Sequence, residues 1–562
     1  MNYEVQCNIT DCFYKFACVC SLMKHIKNEH SVQKWSCEIT EISNNANKDV
    51  VHLIKETNTI EQHKTILTEP LKDLSETLYN NEEFSIDYFK SKVFNFALCL
   101  VTQLYAYGSL NRKVIHKIII DICTTYINNC LDFLKCKFQN TELHDMLDVM
   151  KNGFNIFRTE HLTLKFLSKI NCFFPPKKVI IRSFLKYGKL KSKTCFVIRK
   201  RTLSIIPIKL VLKKFLEMPM VFSAIMKFVD KCNRSLVINS VIKGDFWKKI
   251  VASQTDKIIF PLVLYFDDIE INNPLRTHRT VNKIGAVYCS IPILPIEYVS
   301  KLENIFLYQL HNSQDHNVLG NKNIFHLIIK QIIDLQNNGI IINIDGEEKK
   351  IFFVLTYIVG DNLGLNTILG FSKSFNSSYC CRVCTLSKDE MVKQKKEKPE
   401  KLRTRENYFT HCSEKTFGIK ENCVFHVISN YHVTQNFSVD PMHDLFEGIC
   451  RYDLAKILNN FINKENFFTL DVLNERINCF NHTADSNVPP PIQSDSIKKE
   501  LIILSASEMH YLIKNLGLFV GDLIKSNNKY WQLYLIMRKI VCIAIADAIN
   551  EEIIEIFEKL VF

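Results

Sequence analysis

The sequence predicts a multidomain α+β protein, and three observations lead to this prediction. The chain has 562 residues, more than one ordinary core holds, and 47% of them are hydrophobic. Residues 85–169 repeat apolar side chains at intervals of three and four, which predicts helices. After Lys257, short apolar runs bounded by turn residues predict a mixed α/β domain. Helical periodicity returns from Asp440 to the end.

Composition sets the expected domain boundaries. Residues 35–80 are polar with weak periodicity, which is typical of a linker. The expected segments are a ββα zinc finger in 1–34, a linker in 35–80, a helical, basic DNA-binding region in 81–254, an α/β core in 255–460 with an insertion at 380–430, and a C-terminal helical region in 461–562.

The N-terminal residues fit the spacing of a C2H2 zinc finger. Cys7-x4-Cys12-x12-His25-x4-His30 provides the two thiol and two imidazole ligands that hold Zn²⁺ tetrahedrally. A unit this small cannot bury enough surface to fold alone, so zinc would supply its stability. Among the helix positions that read bases in such fingers, Lys24 is the one suited to DNA, and contact with another protein is the alternative.

The net charge of +12 is concentrated in one segment. Between His161 and Leu216 there are 15 Lys or Arg and no Asp or Glu, with aromatic residues interleaved. Such a stripe attracts phosphate backbones through counterion release, whereas a solvated basic surface or a nuclear-import signal is the alternative. The expected DNA contacts are Lys24, Lys186, Lys189, Lys191, Lys193, Arg199, Lys200 and Arg201.

Two aspartates follow apolar strands. Asp267 closes the run that begins at Ile258, and Asp361 comes directly after the run 350–359 and a glycine. Phosphoryl transfer with two metal ions needs clustered carboxylates, which an RNase H-like fold brings together from two strand ends and one helix. An ordinary turn is the alternative for each residue.

A third acid is expected in residues 440–447. Asp440 followed by proline predicts a capped helix start, after which His443, Asp444 and Glu447 share one face. His443 and Glu447 are four residues apart, so both could reach a metal. A polar helix face with a capped start is the alternative.

A cysteine pair follows Asp361. Cys381 and Cys384 have the spacing of a zinc knuckle, and His432 and His443 could complete the site. Free thiols in a loop are the alternative. Rival ligands are Cys412, Cys423, His411 and His426.

Together these segments resemble a known family. Residues 264–275 (LYFDDIEINNPL), 283–288 (KIGAVY), 360–370 (GDNLGLNTILG), 381–384 (CRVC) and 439–448 (VDPMHDLFEG) look like the transposase-like proteins of animal genomes related to the CACTA (En/Spm) group. Residues 505–510 and 531–535 also look like segments of those proteins. The resemblance covers roughly 80–560 and is most specific at 360–384 and 432–448.

The resemblance implies a DDE-type DNA transposase with an RNase H-like core. Its first acid falls on Asp267, its second on Asp361, and its third on Glu447, with Asp444 and Asp440 as competitors. Such an enzyme uses Mg²⁺ or Mn²⁺ to cleave and transfer strands. The alternative is a catalytically inactive, host-adopted zinc-finger protein that binds DNA or acts as a regulator. A third hypothesis is a zinc-dependent protein-interaction module.

The resemblance also bears on metals and partners. The cysteine pair is similar to the zinc-binding insertion of related recombinases, which supports Cys381 and Cys384 and makes His432 and His443 plausible ligands. Expected partners are double-stranded DNA, as transposon ends and target, and a second copy in a homodimer. No apolar run reaches the ~20 residues of a membrane span and the start does not resemble a signal peptide, so we expect a nuclear protein without a membrane partner.

Overall fold

A computed structural model describes residues 5–6, 15–16, 86–107, 110–138, 140–190, 193–270, 283–394, 396–480, 482 and 487–561. The chain divides into two compact units, residues 1–162 and 163–562. In the first unit, β1 (Val5–Gln6) pairs antiparallel with β2 (Lys15–Phe16). The expected finger residues lie outside the described residues: Cys7, Cys12, Lys24, His25 and His30.

The described remainder of the first unit is helical, as the three-and-four periodicity predicts. Asn111 and Asn140 cap two of the helices, because each side-chain oxygen accepts hydrogen bonds from backbone amides of the first turn. Inside, Phe94 stacks on the fully buried Phe157 at 6.2 Å between ring centroids. The elements are α1 (Ile86–Ala106), α2 (Arg112–Asp121), a π-helical stretch Ile122–Asn128, α3 (Asn129–Lys137), α4 (Thr141–Asn152) and α5 (Glu160–Lys169), whose last part belongs to the second unit.

In the described residues, the second unit is built on a seven-stranded sheet in the order β3-β4-β7-β6-β5-β9-β8. β5 and β9 are parallel, and every other neighbouring pair is antiparallel. The strands are β3 (Lys177–Leu190), β4 (Lys193–Ile205), β5 (Ile258–Glu270), β6 (Lys283–Ser290), β7 (Phe306–Asn312), β8 (Ile340–Ile344) and β9 (Glu347–Gly360). The expected strands and their turn at Gly346, which has a positive φ of 87°, are confirmed.

Helices surround this sheet and form a second core at the C-terminal end of the chain. They are α6 (Ile208–Leu216), α7 (Val221–Arg234), α8 (Asp245–Ala252), α9 (Ile296–Val299), α10 (Asp315–Leu319), α11 (Asn321–Asn337), α12 (Asn362–Ile368), α13 (Lys388–Lys393), α14 (Arg405–Glu414), α15 (Cys450–Asn459), α16 (Leu470–Cys479), α17 (Ser494–Lys498), α18 (Ala506–Val520), α19 (Lys529–Ala544) and α20 (Glu551–Val561). α11 is amphipathic, since Ile324, Ile328, Ile332 and Leu335 are buried on one side.

Residues 177–205 differ from the helical region expected in 81–254. β3 and β4 form a long antiparallel ribbon, and β4 joins β7 through Ser204 and Ile205 at its base. The strands are rich in β-branched and aromatic residues such as Val179, Ile180 and Phe196, which favour extended backbone. The ribbon therefore belongs to the sheet of the α/β core, and the compact units divide at 162/163 instead of 254/255.

Mixed α+β architecture is thus observed. No helix in the described ranges is long and apolar enough to cross a membrane.

Candidate functional site

The register of β5 and β9 places two acids side by side. Phe266 stands opposite Gly360 in this parallel pair, so Asp267 and Asp361 follow at the same edge on neighbouring strands. The strands approach closely here, because a Cβ on Gly360 would lie 2.5 Å from the carbonyl oxygen of Phe266. Asp267, Asp268 and Asp361 all line one open cleft of about 290 Å³.

The two acids differ in their local bonds. Asp361 is the N-cap of α12, and its Oδ1 accepts a 2.5 Å hydrogen bond from the amide of Gly364. Asp267 Oδ2 lies 3.4 Å from the hydroxyl of Tyr265 on the same strand face. Asp268 points to the opposite face, where its Oδ1 accepts a 2.6 Å bond from Ser313. The alternative interpretation of Asp361 as an ordinary turn residue is therefore correct in part, because Asp361 caps a helix. Its carboxylate also lines the cleft, where a ligand can reach it.

The pKa of the Tyr265 hydroxyl depends on three carboxylates. Burial, the charge and hydrogen bond of Asp267, and the charges of Asp361 and Asp440 together raise the pKa of Tyr265 to about 12. Asp267, Asp361 and Asp440 are therefore all within electrostatic range of this one hydroxyl.

An extended segment carries Asp440 to this edge. The Nδ2 of Asn436 donates to the carbonyl of Thr356 at 2.7 Å, and the hydroxyl of Ser438 donates to the carbonyl of Ile358 at 2.9 Å. Side chains two residues apart therefore bond to β9 carbonyls two residues apart. Residues 436–438 run along β9 toward its C-terminal end, and Asp440 comes two residues later.

Asp440 caps the following helical turn, as predicted. Its Oδ1 accepts from the amide of His443 at 3.2 Å, and its Oδ2 lies 2.5 Å from His443 Nδ1. Burial lowers the pKa of His443, but the bond to Asp440 and the charges of Asp440, Glu447 and Asp361 outweigh it, so the pKa is raised. Glu447 pairs with Arg451 at 3.3 Å.

The turn that carries these groups is π-helical instead of the expected α-helix. It spans Met442–Ile449, and Gly448 leaves helical geometry there at φ −98° and ψ −108°. π-Helical turns interrupt α-helices chiefly where a side chain must be redirected, often at functional sites.

Arg382 connects the start of α12 with the segment at Ser438, and through Asn362 with the turn that carries Asp444. The sequence did not predict this role. Arg382 Nη1 donates to Asn362 Oδ1 at 2.8 Å and its Nη2 to the carbonyl of Ser438 at 3.0 Å. Asn362 in turn donates to Asp444 Oδ1 at 2.7 Å. Burial lowers the pKa of Arg382, against the charges of Asp444 and Asp440 among others. The one sequence signal for Arg382 is its position between Cys381 and Cys384.

The cysteine pair forms a turn in which two backbone amides point at one sulfur. Cys381 Sγ accepts from the amides of Val383 at 3.3 Å and Cys384 at 3.4 Å. A hydrogen bond from the Cys384 thiol, followed by backbone bonds and the charge of Arg403, lowers the pKa of Cys381 to about 5 against desolvation. The same bond raises the pKa of Cys384.

The two expected histidine partners occupy different settings. His432 is buried and stacks on His426 at 4.1 Å, with its Nδ1 2.8 Å from the hydroxyl of Thr434 and its Nε2 without a hydrogen-bond partner. His443 bonds to Asp440. Within the described ranges, no group of three or more His, Cys, Asp or Glu side chains could hold a metal ion as it stands. That finding applies to the cysteine site and to the acids alike.

A buried imidazole pair, also missed from the sequence, lies behind the strand-end acids. His311 Nε2 and His316 Nε2 are 2.8 Å apart, and His316 Nδ1 is 2.7 Å from Asn321 Oδ1. Burial, with the neighbouring His316, lowers the pKa of His311 to about 3. A neutral pair of this kind fits under Gly285, where a Cβ would lie 2.5 Å from His311 Nε2.

The basic residues of the ribbon are not equally available to a ligand. Arg199 and Lys200 are exposed, whereas Arg201 forms an ion pair with the buried Asp315 and lies 5.5 Å over the ring of Phe184. Arg201 is therefore engaged internally. Lys186, Lys189 and Lys193 lie on the strands, but their side chains, like all of Lys191, fall outside the described residues.

Comparison with known proteins gives no family. No family model matches this chain, and no curated protein matches it.

Proposed function

We propose that this chain is a DDE-type transposase of cut-and-paste elements, or a relic of one, with Asp267 and Asp361 as its first two catalytic acids. The observation that carries the proposal is the register of β5 and β9, which sets both carboxylates at one sheet edge. Three antiparallel strands (β5, β6 and β7), the helix α11 and, after the edge strand β8, the strand β9 parallel to β5 also support an RNase H-like core. The resemblance to the CACTA group in the same residues agrees with this chemistry.

The third acid is proposed in residues 440–447. The resemblance favours Glu447, whose charge reaches His443 together with those of Asp440 and Asp361. The shared effect on Tyr265 favours Asp440. Replacing each with its amide separates them, because the true third acid should be as necessary as Asp361.

The donor set suits hard divalent cations. Mg²⁺ is usually held by one or two carboxylates together with water and substrate phosphate, so Asp267 and Asp361 are sufficient protein ligands at the start. Bound there, Mg²⁺ or Mn²⁺ would activate the attacking oxygen and stabilise the leaving oxygen. Arg382 holds the strand end and the following turn in place, and Tyr265 keeps its proton at neutral pH and donates toward Asp267.

Zinc belongs to the proposal as a structural ion. Cys7, Cys12, His25 and His30 would hold one ion in the finger. The thiolate character of Cys381 fits a second ion with Cys384, His432 and His443 as the proposed ligands, although His432 and His443 would have to move together.

Plasmid nicking tests the proposal. Purified chain is incubated with supercoiled plasmid and Mn²⁺, and nicked and linear products are followed beside the Asp361→Asn variant. An amide keeps the acceptor oxygen that caps α12, so the variant should fold but lose metal affinity. Nicking by the wild type alone is expected, and equal nicking by both proteins would reject this site.

A catalytically silent, host-adopted DNA-binding protein is the second candidate, and the exposed basic ribbon favours it. Double-stranded DNA would bind along β3 and β4 through Arg199 and Lys200, with binding that weakens steeply as salt rises. Retained salt-sensitive binding without nicking would select this candidate. For either candidate we propose a nuclear location and possible pairing of two copies, which a tagged chain in cells and light scattering would test.

A further inference from the structure

A second cleft adjoins the acid cleft, and one lysine borders both. The acid cleft is lined by Asp267, Asp361, Lys283 and Lys373 among others. The second cleft is lined by Lys373, Lys420, Ser374 and Glu421 among others. Both share His316, Asn317, Thr367 and Lys373, so the two depressions meet along this ridge.

Backbone pairing fixes the two segments that carry Lys373 and Lys420. Phe371 and Ile419 form an antiparallel bridge, and the amide of Lys420 donates to the carbonyl of Gly370 at 2.8 Å. Gly370 has a φ of 83°, and a Cβ there would collide with the carbonyl oxygen of Glu421. The backbones at Lys373 and Lys420 are therefore held on neighbouring segments that cannot easily separate.

Charge determines what these clefts can receive. Asp267, Asp268 and Asp361 line the acid cleft and repel a phosphodiester, so a bound polyanion needs cations beside them. Lys373 Nζ donates to Asn317 Oδ1 at 2.8 Å, which aims it along the ridge and leaves two N–H groups for another acceptor. Glu421 is the carboxylate of the second cleft, and it accepts a 2.5 Å bond from Asn321.

We propose that the DNA strand cut at Asp267 and Asp361 continues over Lys373 into the second cleft, where Lys373 and Lys420 bind its next phosphates. The ligand is the sugar-phosphate backbone, bound without regard to sequence because lysine acts as a point charge. This inference rests on the proposed strand-cleaving function for the identity of the strand.

Salt-dependent DNA binding tests the proposal. Lys373→Gln and Lys420→Gln are made in the full Asp361→Asn chain, which does not cut, and anisotropy of a labelled 30-base-pair duplex is measured across salt. Each lost phosphate contact should reduce the slope of log K against log[salt] by about 0.9. Lys373→Arg should keep the slope.

Lys388→Gln is the matched control. Its Nζ also donates to an asparagine oxygen, Asn376 Oδ1 at 3.1 Å, but it lies outside both clefts. The control should keep the parental slope. Unchanged slopes for both Lys373→Gln and Lys420→Gln would overturn the proposal even if the wild type nicks plasmid. Reduced slopes would support it, and nicking by the wild type independently decides whether the bound strand is also cut.

Discussion

Gly360→Ala tests whether the close approach of β5 and β9 builds the acid site. The added Cβ would lie 2.5 Å from the carbonyl oxygen of Phe266. A backbone oxygen in the middle of a sheet cannot rotate away, so the strands must separate. Overpacking of this kind costs about 3 kcal/mol. Asp361 is the next residue, so it moves with the strand.

The size of the effect follows from the size of the unit. Residues 163–562 form one compact unit, and unfolding entropy is about 2.1 cal/mol/K per residue. A loss of about 3 kcal/mol should then lower its melting temperature by about 3–4 °C. Displacement of Asp361 by about 1 Å should reduce nicking about 100-fold.

Calorimetry and plasmid nicking are the assays, with Gly517→Ala as the matched control. A Cβ at Gly517 meets its nearest neighbour, the Tyr534 hydroxyl, at 3.5 Å, which is ordinary contact. The control should melt at or above the wild-type temperature and nick normally. Wild-type melting and nicking by Gly360→Ala would refute the inference that this contact positions Asp361.

Three further predictions follow from particular contacts. Arg201→Ala leaves Asp315 buried without its ion-pair partner and should lower the free energy of unfolding by roughly 3 kcal/mol in urea titrations. This is the low end of the range for buried ion pairs, because Arg201 is partly exposed. A change under about 0.5 kcal/mol would contradict this prediction. His443 has a raised pKa, so its ion pair with Asp440 should stabilise the fold fully below pH 6.5, and this stabilisation should be lost as pH rises through the folded pKa. NMR titration of His443 should show a pKa above 6.5 in the wild type and a lower pKa in Asp440→Asn. The same pKa in both proteins would count against the pair. Cys12→Ser should remove one zinc per chain by elemental analysis, and equal zinc content would exclude the finger.

Much of the core could be predicted because its signals are local. The apolar run before Asp267, the hairpin turn at Gly346 and the three-and-four spacing in α11 each depend on nearby residues. The expected acids Asp267 and Asp361 do come to one edge, because Phe266 and Gly360 are partners in the parallel pair of β5 and β9. Their pairing depends on register, which the sequence does not show directly.

Long-range contacts account for what was missed. The ribbon was expected to be helical because it follows a helical segment and has no regular period-two alternation of its own. Arg382 acts through Asn362 and the carbonyl of Ser438, 56 residues away. The pairing of His443 with Asp440, instead of with His432, also depends on the extended segment along β9, which has no strong local signal.

The most direct test compares Asp267→Asn with Asp268→Asn in Mn²⁺-dependent plasmid nicking. The two substitutions are chemically identical and adjacent on β5, and both side chains line the acid cleft. They differ in their bonds: Asp267 accepts from Tyr265, which also senses the charges of Asp361 and Asp440, whereas Asp268 accepts from Ser313. We predict that Asp267→Asn abolishes nicking and that Asp268→Asn keeps most of it. Equal activity in the two variants, whether retained or lost, would contradict the assignment of catalysis to the Asp267 face of the strand.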